Sequence, residues 1–306
     1  VKSYQDMLRA VLEGGKWEKN RTGIQRLSIH GYMFEHNLHD GFPLLTTKKM
    51  SLKNIAVELE FFIKGLQDKK WLQARNCHIW DEWANPKIVK QRLSDETRED
   101  ASEFLTKEFL NKEKLRIQHD ETDLGPIYGV QWRKWRYQPN KGVSSYDYID
   151  QLKNVIETIK KDPTNTQQVV SAWNPADIPE MALPPCHYAF QLLSDGDNLD
   201  LLWNQRSCDL FLGIPYNIAS YALLLHLIAI ETGLIPNKLV GFFADLHLYE
   251  NQVSAAKIQL VREPRILPQI MIQEYNKPFD IFKWDYDDFK LYNYDPHPSI
   301  KVEVAV

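Results

Sequence analysis

The chain has 306 residues, 43% hydrophobic and 12% aromatic, enough apolar content to fill one large core or two small ones. A formal net charge of -4 and an isoelectric point near 6.2 exclude a general nucleic-acid binder, so any anionic ligand needs local arginines. Three cysteines, Cys77, Cys186 and Cys208, make no disulfide framework and point to a reducing, cytoplasmic setting.

Residues 3–13 are predicted as a helix, because Tyr4, Met7, Leu8, Val11 and Leu12 share one face; no apolar signal-peptide core interrupts it. Residues 27–38 read as a strand rich in apolar and aromatic side chains. Residues 51–64 read as a mostly buried helix ended by Gly65. Residues 85–121 carry many charges, with Leu93, Phe104, Leu105, Phe109 and Leu110 at roughly helical spacing. They are expected to form a small charged helical insertion in an otherwise single domain over 1–306. A clear amphipathic helix is predicted over 147–160, lined by Ile149, Leu152, Val155, Ile156 and Ile159. Strands follow at 167–173, 187–194, 198–205 and 239–247, interrupted by an apolar helix over 218–232 that stops at Gly233. The run from Ile218 to Ile230 contains His226 and is too short for a bilayer, so no membrane association is expected. A helix near 248–261 and short strands near 269–273 and the C-terminus complete the chain. Strands and helices mix without a strict alternation, which predicts an α+β fold.

One stretch carries chemistry. Leu183-Pro184-Pro185-Cys186-His187 sets a cysteine between a rigid corner and a histidine. Gln205-Arg206-Ser207-Cys208-Asp209 follows 18 residues later, and then Phe211-Leu212-Gly213-Ile214-Pro215-Tyr216-Asn217. A cation beside Cys186 favours thiolate, and Arg206 is the candidate if the fold brings it close. An isolated cysteine more often fills a core, and Asn217 also suits a helix N-cap before Ile218. No second His or Cys stands at ligand spacing from His247, so no metal is expected.

These motifs, together with Asn20-Arg21-Thr22-Gly23 and the terminal Val304-Ala305-Val306, resemble the thymidylate synthase family nearly end to end. The resemblance implies a mixed sheet with flanking helices and a homodimer packed sheet to sheet, with active sites shared across the interface. It implies C5 methylation of dUMP to dTMP with 5,10-methylenetetrahydrofolate as co-substrate. Cys186 would add to C6 as nucleophile, splitting one difficult substitution into feasible steps. Asn217 would read the uracil ring, since an amide accepts from N3–H and donates to O4. Glu58 would organise proton transfer with a raised pKa, although Glu60 stands where the family has an apolar residue. Tyr128 would assist removal of the C5 proton. Arg21, Arg206, Ser207 and His187 would line the nucleotide site, and His247 with Tyr249 would hold the sugar 3′-hydroxyl. Asp209 would bind the folate pterin; Ile79, Trp80, Trp83, Leu183, Leu212, Gly213, Tyr216 and Ala305 would complete the folate site. Trp80 and Trp83 would shield the reaction from water. Tyr216 replaces a phenylalanine, and its hydroxyl needs a partner.

Two departures stand out. Gln167 and Gln168 occupy the places of paired arginines that, by the resemblance, reach the partner subunit's nucleotide phosphate. Losing two charged hydrogen bonds costs roughly 2–5 kcal/mol of binding. Arg26 stands where threonine is usual and is a candidate replacement cation. The alternatives are a pyrimidine nucleotide hydroxymethylase, a related enzyme on a less charged nucleoside or nucleotide, and a non-catalytic nucleotide- or RNA-binding module. No obligatory nucleic-acid partner is expected.

Overall fold

The computed structural model describes residues 1–20, 23–99, 118, 120–137, 147–273 and 279–302. Arg21, Ala305 and residues 100–117 of the expected insertion lie outside them. The chain divides into two compact units. The first comprises Val1–Leu59, Asn154–Val170 and Cys186–Val306; the second comprises Glu60–Lys153 and Ser171–Pro185. Sequence-distant strands assemble the first unit's sheet, and local periodicity does not report that pairing.

The strands are Lys16–Glu18 (β1), Arg26–Asn37 (β2), Trp135–Tyr137 (β3), Asp147–Ile149 (β4), Val169–Ser171 (β5), His187–Ser194 (β6), Asn198–Gln205 (β7), Cys208–Asp209 (β8), Ile235–Tyr249 (β9), Gln269–Ile272 (β10) and Phe289–Tyr292 (β11). The helices are Lys2–Gly14 (α1), Leu52–Ile63 (α2), Lys70–Gln73 (α3), Pro86–Glu99 (α4), Tyr128–Arg133 (α5), Gln151–Lys161 (α6), Gly213–Thr232 (α7) and Val253–Leu260 (α8).

A mixed sheet runs β1-β2-β9-β7-β6-β5, with β8 also on β9. β2 pairs β9 antiparallel over eleven matched positions, and β7 pairs β9 parallel. Along β7, burial alternates residue by residue, as a half-buried strand requires. α1 buries Tyr4, Met7, Leu8 and Val11 completely. α7 is buried nearly all round and packs as a core helix. By length and composition it passes for a membrane span, yet 67% of that stretch is buried inside the protein. It ends at Gly233, whose φ of +75° turns the chain while its N–H returns to Ala229 and Ile230.

Several predicted boundaries move. Residues 147–149 are strand, paired with Trp135–Tyr137, and Ile149 is exposed rather than on a buried helix face. Helix α6 starts only after Asp150, whose carboxylate accepts from the Lys153 N–H as a cap. Helix α7 starts at Gly213, five residues earlier than predicted, so Asn217 lies inside the helix and not at its cap. The turn before it is held by Asp209 Oδ1, which accepts from the Phe211 and Leu212 N–H groups at 3.0 and 2.9 Å. Pro215 is tolerated because first-turn N–H groups have no helical partner. The strand predicted over 239–247 runs from Ile235 to Tyr249, and the following helix begins only at Val253.

In the second unit, β3 and β4 form an antiparallel pair. Arg133 clamps this region, its Nε and Nη2 bonding the Asp150 carboxylate at 2.8–3.0 Å. Lys69, fully buried, donates to the carbonyls of Asp81, Trp83 and Gln118. That satisfies all three of its protons and fixes the backbone that bears Trp83.

Candidate active site

β6 and β7 pair antiparallel with His187 opposite Gln205. Cys186 and Arg206 therefore stand side by side, the Arg206 N–H donating to the Cys186 carbonyl at 2.9 Å. All three cysteines are free thiols; Cys77 and Cys208 are buried, and Cys186 keeps partial exposure. Burial pushes the Cys208 thiol far up, with the charges of Asp245 and Cys186 adding to the rise, so Cys208 is inert. His187 hydrogen bonds the Tyr221 hydroxyl through Nδ1 at 2.9 Å. Desolvation pushes its pKa down to about 3, so it brings no positive charge to Cys186 at neutral pH.

Asn217, in the first turns of α7, is only partly exposed, and its Oδ1 accepts from Gln205 Nε2 at 3.0 Å. The same nitrogen donates to the Ser207 carbonyl at 3.1 Å, and Gln205 Oε1 accepts from Trp203 Nε1 at 3.1 Å. Gln205, 2% exposed, is thus a site residue to which the sequence reading assigned no role. Its neighbours gave no signal, because the partners come from two elements that meet only in the fold.

Asp209 is fully engaged: besides the two backbone donors, its Oδ2 accepts from Gln252 Nε2 at 3.0 Å. Both lone pairs of Oδ1 are thus in use, and Oδ2 keeps one for a ligand donor. Lys48, also missed, is buried beneath this turn and donates to the Phe211 carbonyl, its ammonium 3.7 Å from the Phe211 ring centre. Burial lowers the Lys48 pKa to about 7, against the opposing charge of Asp209. The Tyr216 hydroxyl has Tyr294 as an electrostatic neighbour. Burial pushes Tyr294 up to about 12; the Met50 N–H opposes the rise and Tyr216 adds to it. Leu212 and Gly213 sit at the start of α7, partly exposed.

His247 and Tyr249 pack edge to face at 5.1 Å on β9. His247 is 1% exposed, and its Nδ1 lies 3.2 Å from the Asp245 carbonyl and 3.4 Å from the Asp245 carboxylate. Both are acceptors, so Nδ1 carries a proton toward them. Arg26 bridges two carboxylates, Asp245 at 2.7 Å and Glu18 at 3.2 Å. Burial raises the Asp245 carboxyl, but hydrogen bonding from His247 and the charges of His247, Arg26 and His30 hold it below its usual range. Ligand atoms of Glu18, His30 and Asp245 lie within 4.8 Å of one another, and the Arg26 guanidinium supplies that cluster's cation. The replacement cation expected at Arg26 is therefore already committed within its own sheet. Gln167 is exposed, while Gln168 is fully buried and turns inward, its amide donating to the carbonyls of Asn165 and Pro163 at 2.6 and 3.4 Å. Its neutral amide closes the loop before β5.

In the second unit, Trp80 and Tyr128 are buried at 6% and 3% exposure. Trp80 packs against Trp83 at 5.8 Å and Tyr128 at 6.1 Å, with Phe62 5.0 Å from Tyr128. Ile79 and Leu183 are partly exposed. On α2, Glu60 is completely buried and ion-paired with Lys64 one turn on, whereas Glu58, two positions earlier, keeps partial exposure. Residues two apart do not share a helix face, so the two acids point to different sides of α2.

A family model described as thymidylate synthase matches residues 2–306. The match covers nearly the whole chain, and on it the chain belongs to the thymidylate synthase family.

Proposed function

We propose that this protein methylates deoxyuridine monophosphate at C5, using 5,10-methylenetetrahydrofolate, through a covalent adduct of Cys186 at C6. The family is that of a methyltransferase that uses this folate. The observation that carries the reading is the selection of one thiol among three: Cys186 keeps solvent access beside Arg206, while Cys77 and Cys208 are sealed in the core. Sulfur addition at C6 makes C5 a carbon nucleophile. Asn217 orients the ring through N3 and O4, and His247 with Tyr249 binds the 3′-hydroxyl. Arg206, Arg21 and Ser207 hold the phosphate. Glu58 moves protons at the base, and Tyr128 assists removal of the C5 proton. The folate supplies the one-carbon unit and the hydride. Asp209 holds the pterin, and Trp80 with Trp83 keeps water from the reacting carbon, which favours a methyl over a hydroxymethyl product. The functional unit is a homodimer.

Two measurements test this. Parent protein mixed with 5-fluoro-deoxyuridylate and methylenetetrahydrofolate should gain the mass of both ligands, and Cys186→Ala should gain neither. Turnover by Cys186→Ala should fall below detection with the fold retained. Dihydrofolate release near the parent rate in that variant would remove Cys186 as nucleophile, and a hydroxymethyl product would replace the proposed reaction with its sister chemistry.

A further inference from the structure

Trp203 lies at the centre of the first unit's core. It is fully buried, stacked on Tyr221 at 5.2 Å and edge-on to Phe243 and Phe34 at 5.5 and 5.9 Å. Gly241, its partner across the parallel β7–β9 ladder, leaves the space that the indole fills. A Cβ there would fall 2.7 Å from the ring. The ring therefore has one orientation, with its Nε1–H aimed at Gln205 Oε1.

An indole nitrogen only donates, so the Gln205 oxygen must face it and the Gln205 NH2 must face away. On that side the NH2 meets the Ser207 carbonyl, which only accepts, and Asn217 Oδ1. Rotating the Gln205 amide would set NH2 against the indole N–H and oxygen against the Ser207 carbonyl. It would also turn oxygen toward Asn217, which would have to rotate and present its NH2 instead.

We propose that Trp203 is a specificity-determining positioning residue: through Gln205 it fixes which end of the Asn217 amide faces each part of the base, and so selects a uracil edge over a cytosine edge. This rests on the base-reading role of Asn217 given above. In the orientation held here, Oδ1 has one lone pair left for a ring N–H and the NH2 is left for a carbonyl, the pattern of uracil N3 and O4. Cytosine offers an acceptor at N3 and a donor at C4, which asks for the rotated amide. Rotation sets two buried pairs of like groups against each other, and Trp203 is responsible for one of them.

The test compares deoxyuridylate with deoxycytidylate by calorimetric titration. Trp203→Phe keeps an aromatic ring and deletes the N–H; Gln205→Met keeps the side-chain length and deletes both hydrogen-bonding ends. The parent should prefer deoxyuridylate. Trp203→Phe should reduce that preference about 10-fold, and Gln205→Met at least as much, by weakening the uracil nucleotide and tightening the cytosine one. A purely structural role for the indole would weaken both nucleotides together and leave their ratio fixed. An unchanged ratio in folded Trp203→Phe overturns the proposal; should that variant fail to fold, an unchanged ratio in Gln205→Met overturns it. A parent that binds neither nucleotide, or shows no uracil preference, overturns instead the reading of Asn217, and the proposal with it.

Discussion

At the scale of single residues, Arg26 shows how context redefines a charge. An arginine in place of a smaller residue near an expected phosphate site reads as a ligand cation, yet its guanidinium is held by Glu18 and Asp245. Asp245 in turn contacts His247, so the cation's effect passes inward along the sheet face. Arg26→Met should lower unfolding free energy by about 1–3 kcal/mol, because two partly buried carboxylates lose their common partner. Denaturant titration reads this directly. Nucleotide binding should keep its dependence on salt, since the charge is already neutralised at short range. A clearly shallower salt dependence in the variant would return Arg26 to the ligand.

At the scale of elements, the loop before β5 depends on Gln168. Its amide bonds two carbonyls from a fully buried position, so Gln168→Ala should cost about 1–3 kcal/mol of stability. Gln167→Ala, at an exposed position, should stay within about 0.5 kcal/mol. Equal losses from the two, measured by thermal or denaturant unfolding, would deny Gln168 its loop-closing role. An arginine at 168 would place a charge where the chain has built a neutral clamp, so Gln167 is the better position for adding a cation. Element type was legible wherever periodicity was strong, as in α1, α2 and β7. Boundaries moved where a side chain from elsewhere set them: Asp150 delays α6 and Asp209 advances α7.

At the scale of the whole molecule, acid stability follows from two partly buried imidazoles, His187 and His226. Desolvation lowers His226 from 6.5 to about 4 and His187 to about 3. Both folded values lie below the unfolded one, so the unfolded chain binds protons more readily. Their contribution is complete above about pH 6.5 and is lost as pH falls toward 4 and then 3. For His226 the displacement corresponds to about 3 kcal/mol at most. The melting temperature should therefore fall between pH 6.5 and 4, and His226→Leu should flatten part of that fall. A parallel decline in parent and variant would show that His226 is neutral for some other reason or is solvated.

The sequence by itself determined the family and a mixed fold of strands and helices, and it nominated the candidate site residues, because the motifs around Cys186, Arg206 and Asn217 are local in the chain. It also determined the major helices and strands, since apolar periodicity is a local signal. Only the tertiary structure decided which thiol stays accessible, because burial depends on neighbours far away in sequence. The same holds for the roles of Gln205 and Lys48, for the inward turn of Gln168 and for the neutralisation of Arg26. Each depends on which donor faces which acceptor across strands and helices that are separate in the chain, and a hydrogen bond is specified by that geometry alone.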